Sequence, residues 1–364
     1  MPSSSPTISR PRSARLSLLG IAAALVGVVL LVVTIRQVGW NAVVEGVRSV
    51  GVWFGAIVAL GGIRFAARAQ SWRACAESAA ALDESMAAGG EDAAATPRAG
   101  ASAGASGAPA SFDFAHAFGA VLAADALGNL TPLGLLASEP AKVLLVRHRL
   151  STVAGISSVA ADNVFYTLSV LAMFIAGAFA FVRRATVPDS LALAADVIAV
   201  VAIAGVVAAI WIGRRRPAIL SWLAAWAIRL SGRGGSFDAR LREIELRFYG
   251  LLQWPLERLL RIAGWQVLFH VAAVTEVFVV LRCLPGSAHA TWLDAFVLEA
   301  AGRLVTVAFK FVPYRLGVDE AGAALVARTL AFDPTVGVAL ALIRRLRIIA
   351  WNVVGVALLA RRRG

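Results

Sequence analysis

The stretch Asn129-Leu-Thr-Pro132 is followed by Glu139, and the stretch Lys310-Phe-Val-Pro313 is followed by Glu320. The proline and the glutamate are seven positions apart in both stretches, and the second stretch lies 181 residues after the first. Both are surrounded by strongly apolar sequence. A proline-broken segment that carries a carboxylate and occurs twice in an apolar chain is typical of internal repeats that enclose a polar site near the midplane of a membrane.

The alignment of the two stretches continues without a gap, so that Asn163 falls opposite Arg344 and Tyr166 falls opposite Arg347. We therefore predict two pseudo-symmetric membrane repeats between short terminal tails. The predicted parts are a cytoplasmic N-terminal tail, the first repeat, the second repeat and a basic C-terminal tail, at 1–15, 16–182, 183–360 and 361–364.

Hydrophobic residues make up 59% of the 364 residues, and the mean hydropathy is +0.76, far above that of a soluble globular chain. Six long apolar runs, of about 20 residues each, can cross a hydrocarbon core of about 30 Å as helices. They lie at 16–35, 50–66, 152–182, 190–212, 262–281 and 334–360. The sequence therefore predicts an all-α polytopic membrane protein.

The two repeated stretches lie in apolar segments, 114–147 and 291–332, that Pro, Gly and charged residues interrupt midway. Irregular backbone at membrane depth is tolerated only where protein or a water-filled cavity covers it. We therefore interpret each segment as a re-entrant hairpin, which gives about six spanning helices plus two Pro/Gly-broken hairpins. Three spans per half make the repeats inverted. If the hairpins cross fully, the chain has eight spans and parallel repeats.

The net charge of +13 and the pI near 11.3 do not indicate nucleic-acid binding, because the basic residues flank the apolar runs. Arg68 and Arg73 follow the second run, a dense basic group begins at Arg214, and arginines close the chain at 361–363. This positive-inside distribution places both termini in the cytoplasm. We expect a multi-pass protein of the bacterial cytoplasmic (inner) membrane that binds no nucleic acid.

Two segments are expected outside the membrane. Residues 86–111 are small, polar-leaning and aperiodic, and are predicted to form a flexible linker within the first repeat. Residues 214–261 mix arginines with tryptophans and leucines. They suit either helices in the membrane interface or a solvated basic loop.

Arg344, Arg345 and Arg347 lie in the middle of the last apolar run. A central arginine that faces lipid costs about 2.5–3.5 kcal/mol, so these side chains must face a cavity, a carboxylate or an anionic ligand. In one interpretation the buried charges pair with each other, as Glu299 and Arg303 can one helical turn apart. In the other, an excess of cations in a cavity binds a phosphate through planar guanidinium groups.

The candidate residues for an anionic headgroup are Arg344, Arg345, Arg347 and Lys310. Glu139 and Glu320 are predicted at helix starts, where Pro140 fits a first turn and Asp319 could cap the helix. They could bind a cationic part of the ligand, satisfy free backbone N–H groups, or titrate and couple movement to protons. Further polar candidates for the same site are Asn129, Asp162, Tyr166, Arg303 and Asn352.

Recognisable catalytic and metal-binding patterns do not occur in the sequence. The four histidines and two cysteines have no metal-ligand spacing, and there is no Ser-His-Asp arrangement, P-loop or dinucleotide fingerprint. We therefore expect no enzyme, no cofactor and no metal.

At its repeated motifs the chain resembles the lysylphosphatidylglycerol synthase transmembrane-region family, the flippase-like membrane half of the multiple peptide resistance factor. The resemblance rests on Asn129 to Pro132, Glu139-Pro-Ala-Lys142, Gly317-Val-Asp-Glu320 and Trp351-Asn352. It implies a polytopic inner-membrane protein that moves lipids, often aminoacylated phospholipids, between leaflets. The first repeat has Leu-Gly-Leu-Leu-Ala-Ser at 133–138 where the family has paired glycines.

No soluble domain follows the last apolar run, so we expect a stand-alone member without aminoacyl-tRNA-dependent synthase activity. The favoured function is a lipid translocase whose partners are membrane lipids with an anionic headgroup. One alternative is a transporter for a small anionic solute. The other is a non-transporting membrane partner of lipid- or glycan-synthesis enzymes.

Overall fold

The computed structural model describes residues 36, 40–91, 112–130, 134–184, 254–309, 315 and 317–361, together with six single positions between 193 and 204. Regular structure within these ranges is helical. The helices described there are α1 (Trp40–Val50), α2 (Trp53–Glu91), α3 (Phe114–Leu130), α4 (Gly134–Val146), α5 (Thr152–Arg184), α6 (Leu256–Cys283), α7 (Trp292–Ala308), α8 (Val318–Thr329) and α9 (Pro334–Arg361).

Three of the predicted spans coincide with long helices. The runs at 152–182, 262–281 and 334–360 form α5, α6 and α9. Within the described residues, Thr152–Arg183 and Leu256–Cys283 are long and apolar enough to cross a membrane. α9 is as long as α6, but its middle carries three arginines.

The second apolar run opens α2, which continues far past it, to Glu91. The first residues of the predicted linker at 86–111 are therefore helical. The runs at 16–35 and 190–212, the rest of the linker and most of the basic segment at 214–261 lie outside the described ranges, apart from single positions.

Each proline-broken segment forms two helices that pack on each other. α3 and α4 are separated by 131–133, and α7 and α8 are separated by 309–317. α7 begins with a capping box, in which Thr291 Oγ1 accepts the Asp294 N–H at 3.2 Å and Asp294 accepts the Thr291 N–H at 2.8 Å. α8 begins after Gly317, whose positive φ of 78° suits glycine.

The predicted helix starts at the two glutamates are only half right. Glu320 lies in the first turn of α8 and accepts the backbone N–H of Gly317 at 2.8 Å. Gly317 takes the cap position predicted for Asp319, which is the second helical residue. The prediction for Glu139 was wrong, because α4 already begins at Gly134 and Pro140 lies inside the helix.

Helices of the two halves cross each other in a reciprocal pattern. α2 and α6 pack together, α9 packs on α3, and α5 packs on α7. Glycines let α9 approach α3 closely and let α5 approach α7 closely. A Cβ atom on Gly355 of α9 would lie 2.6 Å from the carbonyl oxygen of Leu122 on α3, and one on Gly177 of α5 would collide with Ala300 on α7. These crossings frame a central space between the helices.

The apolar core is divided between two ends of the molecule. One cluster joins Val50 to Leu330 and Phe332, next to the ends of α1 and α8. The other joins Trp72 of α2 to Val146 and Leu150, at the end of α4.

Candidate functional site

A cavity of about 880 Å³ lies between the helices from α2 to α9, each of which contributes side chains to its wall. Its wall carries an unusual number of basic side chains for an apolar protein. The described ones are Arg64, Arg68, Lys142, Arg303, Arg315, Arg344, Arg345 and Arg347. The carboxylates on the described wall are Asp125, Glu139 and Asp319.

Two fully buried glutamates organise the centre of this wall. Glu276 of α6 binds Arg64 of α2 at 2.8 Å and contacts the Nε atom of Arg347 on α9 at 2.9 Å. Glu299 of α7 binds Arg303 one turn along the same helix at 2.6 Å and also binds Arg344 of α9. Four arginines share two carboxylates, so this cluster keeps two positive charges. We call these six residues the arginine cluster.

Other basic side chains of the wall each have their own carboxylate. Their partners lie on the wall or directly behind it. The pairs are Arg345 with Glu320, Arg315 with Asp319 at 3.1 Å, Lys142 with Glu139 at 3.0 Å, and Arg68 with Asp162 at 3.1 Å. Pairing of buried charges is therefore extensive. The unbalanced positive charge is concentrated in the arginine cluster.

The structure brings most of the predicted site residues to this cavity. Its wall includes Arg344, Arg345, Arg347, Arg303, Glu139, Asn129 and Tyr166. Asp162, Glu320 and Asn352 are buried behind the wall and contact the side chains that form it. Lys310 lies outside the described residues. Arg344 is the best placed of the three α9 arginines to meet a ligand, because 20% of its side chain is accessible against 11% for Arg345 and 6% for Arg347.

The contribution of α2 to the site was not predicted from the sequence. Arg68 was assigned to a cytoplasmic flank, but α2 continues past this residue. The guanidinium of Arg68 lies 4.3 Å from the ring centre of Tyr166. Arg64, one turn earlier, was overlooked. The signal available in the sequence was the i, i+4 spacing of these two arginines in an unbroken helical stretch, which puts both on one face.

The wall also has an apolar part. Val170, Leu171 and Phe174 of α5 and Val305 and Val307 of α7 line the same cavity. Val307 is 52% exposed, so this part reaches the outer surface of the helices. The cavity therefore joins a charged centre to an apolar face.

Comparison with known proteins identifies the family. The sequence pattern of the family described as Lysylphosphatidylglycerol synthase TM region matches residues 18–355, nearly the whole chain. No curated protein and no solved structure gives a match. The match covers both halves of the described cavity. The chain is a membrane protein and belongs to the family of the lysylphosphatidylglycerol synthase transmembrane region.

Proposed function

We propose that this protein is a flippase-like lipid translocase of the bacterial inner membrane, without enzymatic activity. It moves an anionic or aminoacylated phospholipid, or a related lipid, by passing the headgroup through the cavity between two repeats. The observation that carries this proposal is a cavity with an arginine cluster of net positive charge at its centre and an apolar wall at its side.

The arginine cluster suits a phosphate. Guanidinium groups present planar pairs of donors that match phosphate oxygens. The two buried glutamates neutralise only part of the positive charge of the four arginines, and the negative charge of a phosphate compensates the rest. Arg344 and Arg303 approach from different helices, so a headgroup between them contacts both α7 and α9. A neutral headgroup would gain less from this arrangement.

The apolar wall suits the acyl chains. Leu171 and Phe174 lie on the same helix as Asn163, and a smaller space of about 260 Å³ follows that helix past Asn163 and Leu168. A lipid can keep its chains against this face while its headgroup occupies the charged centre. A small anionic solute would have no use for the apolar wall.

The packing supports two inverted repeats with a re-entrant hairpin in each. Shifted by 181 residues, α3, α4 and α5 fall on α7, α8 and α9 to within a few residues. α4, with 13 residues, reaches about 20 Å and is too short for a hydrocarbon core of about 30 Å. The first hairpin starts and ends beside Trp72 of α2, and the second starts and ends near Val50. Described residues at or beside the two breaks, Asn129 and Arg315, line the central cavity.

The distribution of basic residues in the loops supports one orientation of the protein in the membrane. Arg147 and Arg149 follow α4, so the Trp72 end is proposed to face the cytoplasm together with both termini. Lipid- or glycan-synthesis enzymes at that face are proposed partners that could supply the lipid.

The proposal is tested by the lipids that co-purify with the protein. In Arg344→Ala/Arg347→Ala the cluster keeps two arginines and two glutamates, so its excess charge is lost while both carboxylates stay paired. We expect mass spectrometry to find one anionic lipid enriched with the wild type and about tenfold or more depleted in the variant, because two charge-assisted contacts are lost. The matched control is Arg261→Ala, an arginine of α6 that is 55% exposed.

Flipping is then measured with that lipid in vesicles, by following the fraction of a labelled analogue that a membrane-impermeant quencher cannot reach. Wild-type protein should accelerate exchange between leaflets, and the double variant should not. Bulk lipid composition in both samples, together with no flipping, would contradict the proposal and favour transport of a small anionic solute.

A further inference from the structure

Asp125 differs from the other acidic residues around the cavity. Within the described ranges, each of the others forms a salt bridge: Asp162, Glu139, Glu276, Glu299, Asp319 and Glu320. Asp125 lies on the cavity wall, and the contact described for its carboxylate is a hydrogen bond from the neutral amide of Asn129, at 2.9 Å. The same amide nitrogen lies 3.2 Å from the side-chain oxygen of Asn352. No described cation lies within salt-bridge distance of Asp125.

The charge of Asp125 is balanced only at longer range. The cations that act on it are Lys142 of α4, Arg347 of α9 and Arg315 before α8. Each of them directly binds another carboxylate, on Glu139, Glu276 and Asp319 respectively. The ionised form of Asp125 therefore depends on the summed field of the cavity and not on a partner of its own.

An anion that enters the cavity removes this support. It contacts the wall cations, among them Arg64 and Arg68 of α2, and lowers the positive field that Asp125 experiences. It also brings a like charge close to the carboxylate in surroundings that screen charge poorly. A proton on Asp125 removes that repulsion and turns the carboxylate into a hydrogen-bond donor for the anion or for an amide oxygen.

We propose that Asp125 is a proton-binding site coupled to the anion site, so that a phosphate-bearing headgroup binds together with one proton taken from water by the Asp125 carboxylate. This inference rests on the proposed function, because it needs an anion in the cavity. Binding is then tighter at lower pH, and a pH difference across the membrane favours loading from the more acidic side. Coupling is reciprocal, so the bound anion raises the affinity of Asp125 for its proton by the same factor.

The two glutamates that the sequence offered for proton coupling are less suitable. Glu139 binds Lys142 and accepts a hydrogen bond from Asn163 at 3.1 Å, and Glu320 binds Arg345 and the backbone N–H of Gly317. Each of these carboxylates therefore has a cationic partner of its own, which is not described for Asp125. An anion can bind in the cavity without breaking the contacts of Glu139 or Glu320.

The test uses the full chain in detergent, with dioctanoyl phosphatidylglycerol as the probe. Calorimetric titrations in buffers of different ionisation enthalpy give the number of protons taken up per bound lipid at each pH. We expect wild-type protein to take up as much as one proton per lipid, and its affinity to rise by at most about tenfold for each unit that the pH falls. Asp125→Asn should bind without proton uptake, and with the affinity that the wild type reaches at acidic pH.

The matched control is Asp113→Asn, an exposed acid outside the cavity, which should keep the proton uptake of the wild type. Lipid binding by the wild type with no proton uptake, or uptake that persists in Asp125→Asn, would overturn the inference alone. Because lipid binding without proton uptake in the wild type contradicts the inference by itself, the test does not depend on a stable variant. No lipid binding at any pH would overturn the proposed function and the inference together.

Discussion

At the scale of single residues, two glutamates determine where the arginines of the cavity lie. Glu299 and Arg303 are one helical turn apart, and the salt bridge between them was one of the two interpretations that the sequence left open. Glu276 binds Arg64, which is 212 residues away, and no local pattern indicates that pair. Both carboxylates are fully buried, so their charge is compensated only by the arginines around them. Loss of either would leave guanidinium groups buried without a partner.

Glu276→Gln should therefore destabilise the protein strongly. It removes the counter-charge of Arg64 and Arg347 in surroundings where a broken buried ion pair costs about 3–5 kcal/mol. The measurement is thermal unfolding of the purified protein in detergent. Glu257→Gln is the control, because this residue lies on the same helix with 83% of its side chain exposed. Equal unfolding temperatures for both variants would show that Glu276 does not hold the cluster together.

At the scale of helices, the breaks and the crossings position the site. The sequence correctly indicates an interruption near each proline, because Pro, Gly and charge occur together there. It misplaces the start of α4, since Pro140 is accommodated inside a helix that begins six positions earlier. It also ends the second span too early, since α2 remains helical through Arg68 to Glu91. Two arginines of α2, Arg64 and Arg68, bind carboxylates on α6 and α5, which the local sequence does not indicate.

Close packing of α9 on α3 predicts that Gly355→Ala disrupts the fold. The added methyl group would lie 2.6 Å from the carbonyl oxygen of Leu122, so the two helices must separate. We expect a loss of about 1–3 kcal/mol in the free energy of unfolding, as for other overpacked sites. Gly264→Ala on α6 is the control, because nothing lies within 4 Å of its added methyl group. That change should be neutral or slightly stabilising, since alanine favours helix more than glycine does. A comparable loss in both variants would argue against tight packing at the α3–α9 crossing.

At the scale of the whole molecule, the helix pairs α3–α4 and α7–α8 end at opposite ends of α2. Leu150 after α4 packs in the cluster of Trp72, and Phe332 after α8 packs in the cluster that Phe54 contacts. Phe54 and Trp72 are separated by about 27 Å along α2. This distance approaches the thickness of the hydrocarbon core, so the loops after α4 and α8 are expected on opposite sides of the membrane.

Labelling of single cysteines tests this arrangement in cells. In a chain whose Cys75 and Cys283 are replaced by alanine, His148→Cys marks the loop after α4 and Ala331→Cys marks the loop after α8; both positions are exposed. A membrane-impermeant maleimide should react with Ala331→Cys in intact cells, and with His148→Cys only after the membrane is permeabilised. Labelling of both positions from the same side would contradict inverted repeats and favour the parallel alternative.

The sequence by itself determined the class of the protein, the proline-broken segments and most of the candidate residues. Hydrophobic run length, proline and buried charge are local properties, and Arg344, Arg345 and Arg347 could be recognised from the cost of exposing them to lipid. Only the tertiary structure decided which carboxylate each arginine binds. Ion pairs such as Arg64 with Glu276 join distant helices, and their formation depends on how those helices cross. For the same reason, only the structure distinguishes Asp125 from the other acidic residues of the apolar segments. Among the described residues, its carboxylate has no close cationic partner.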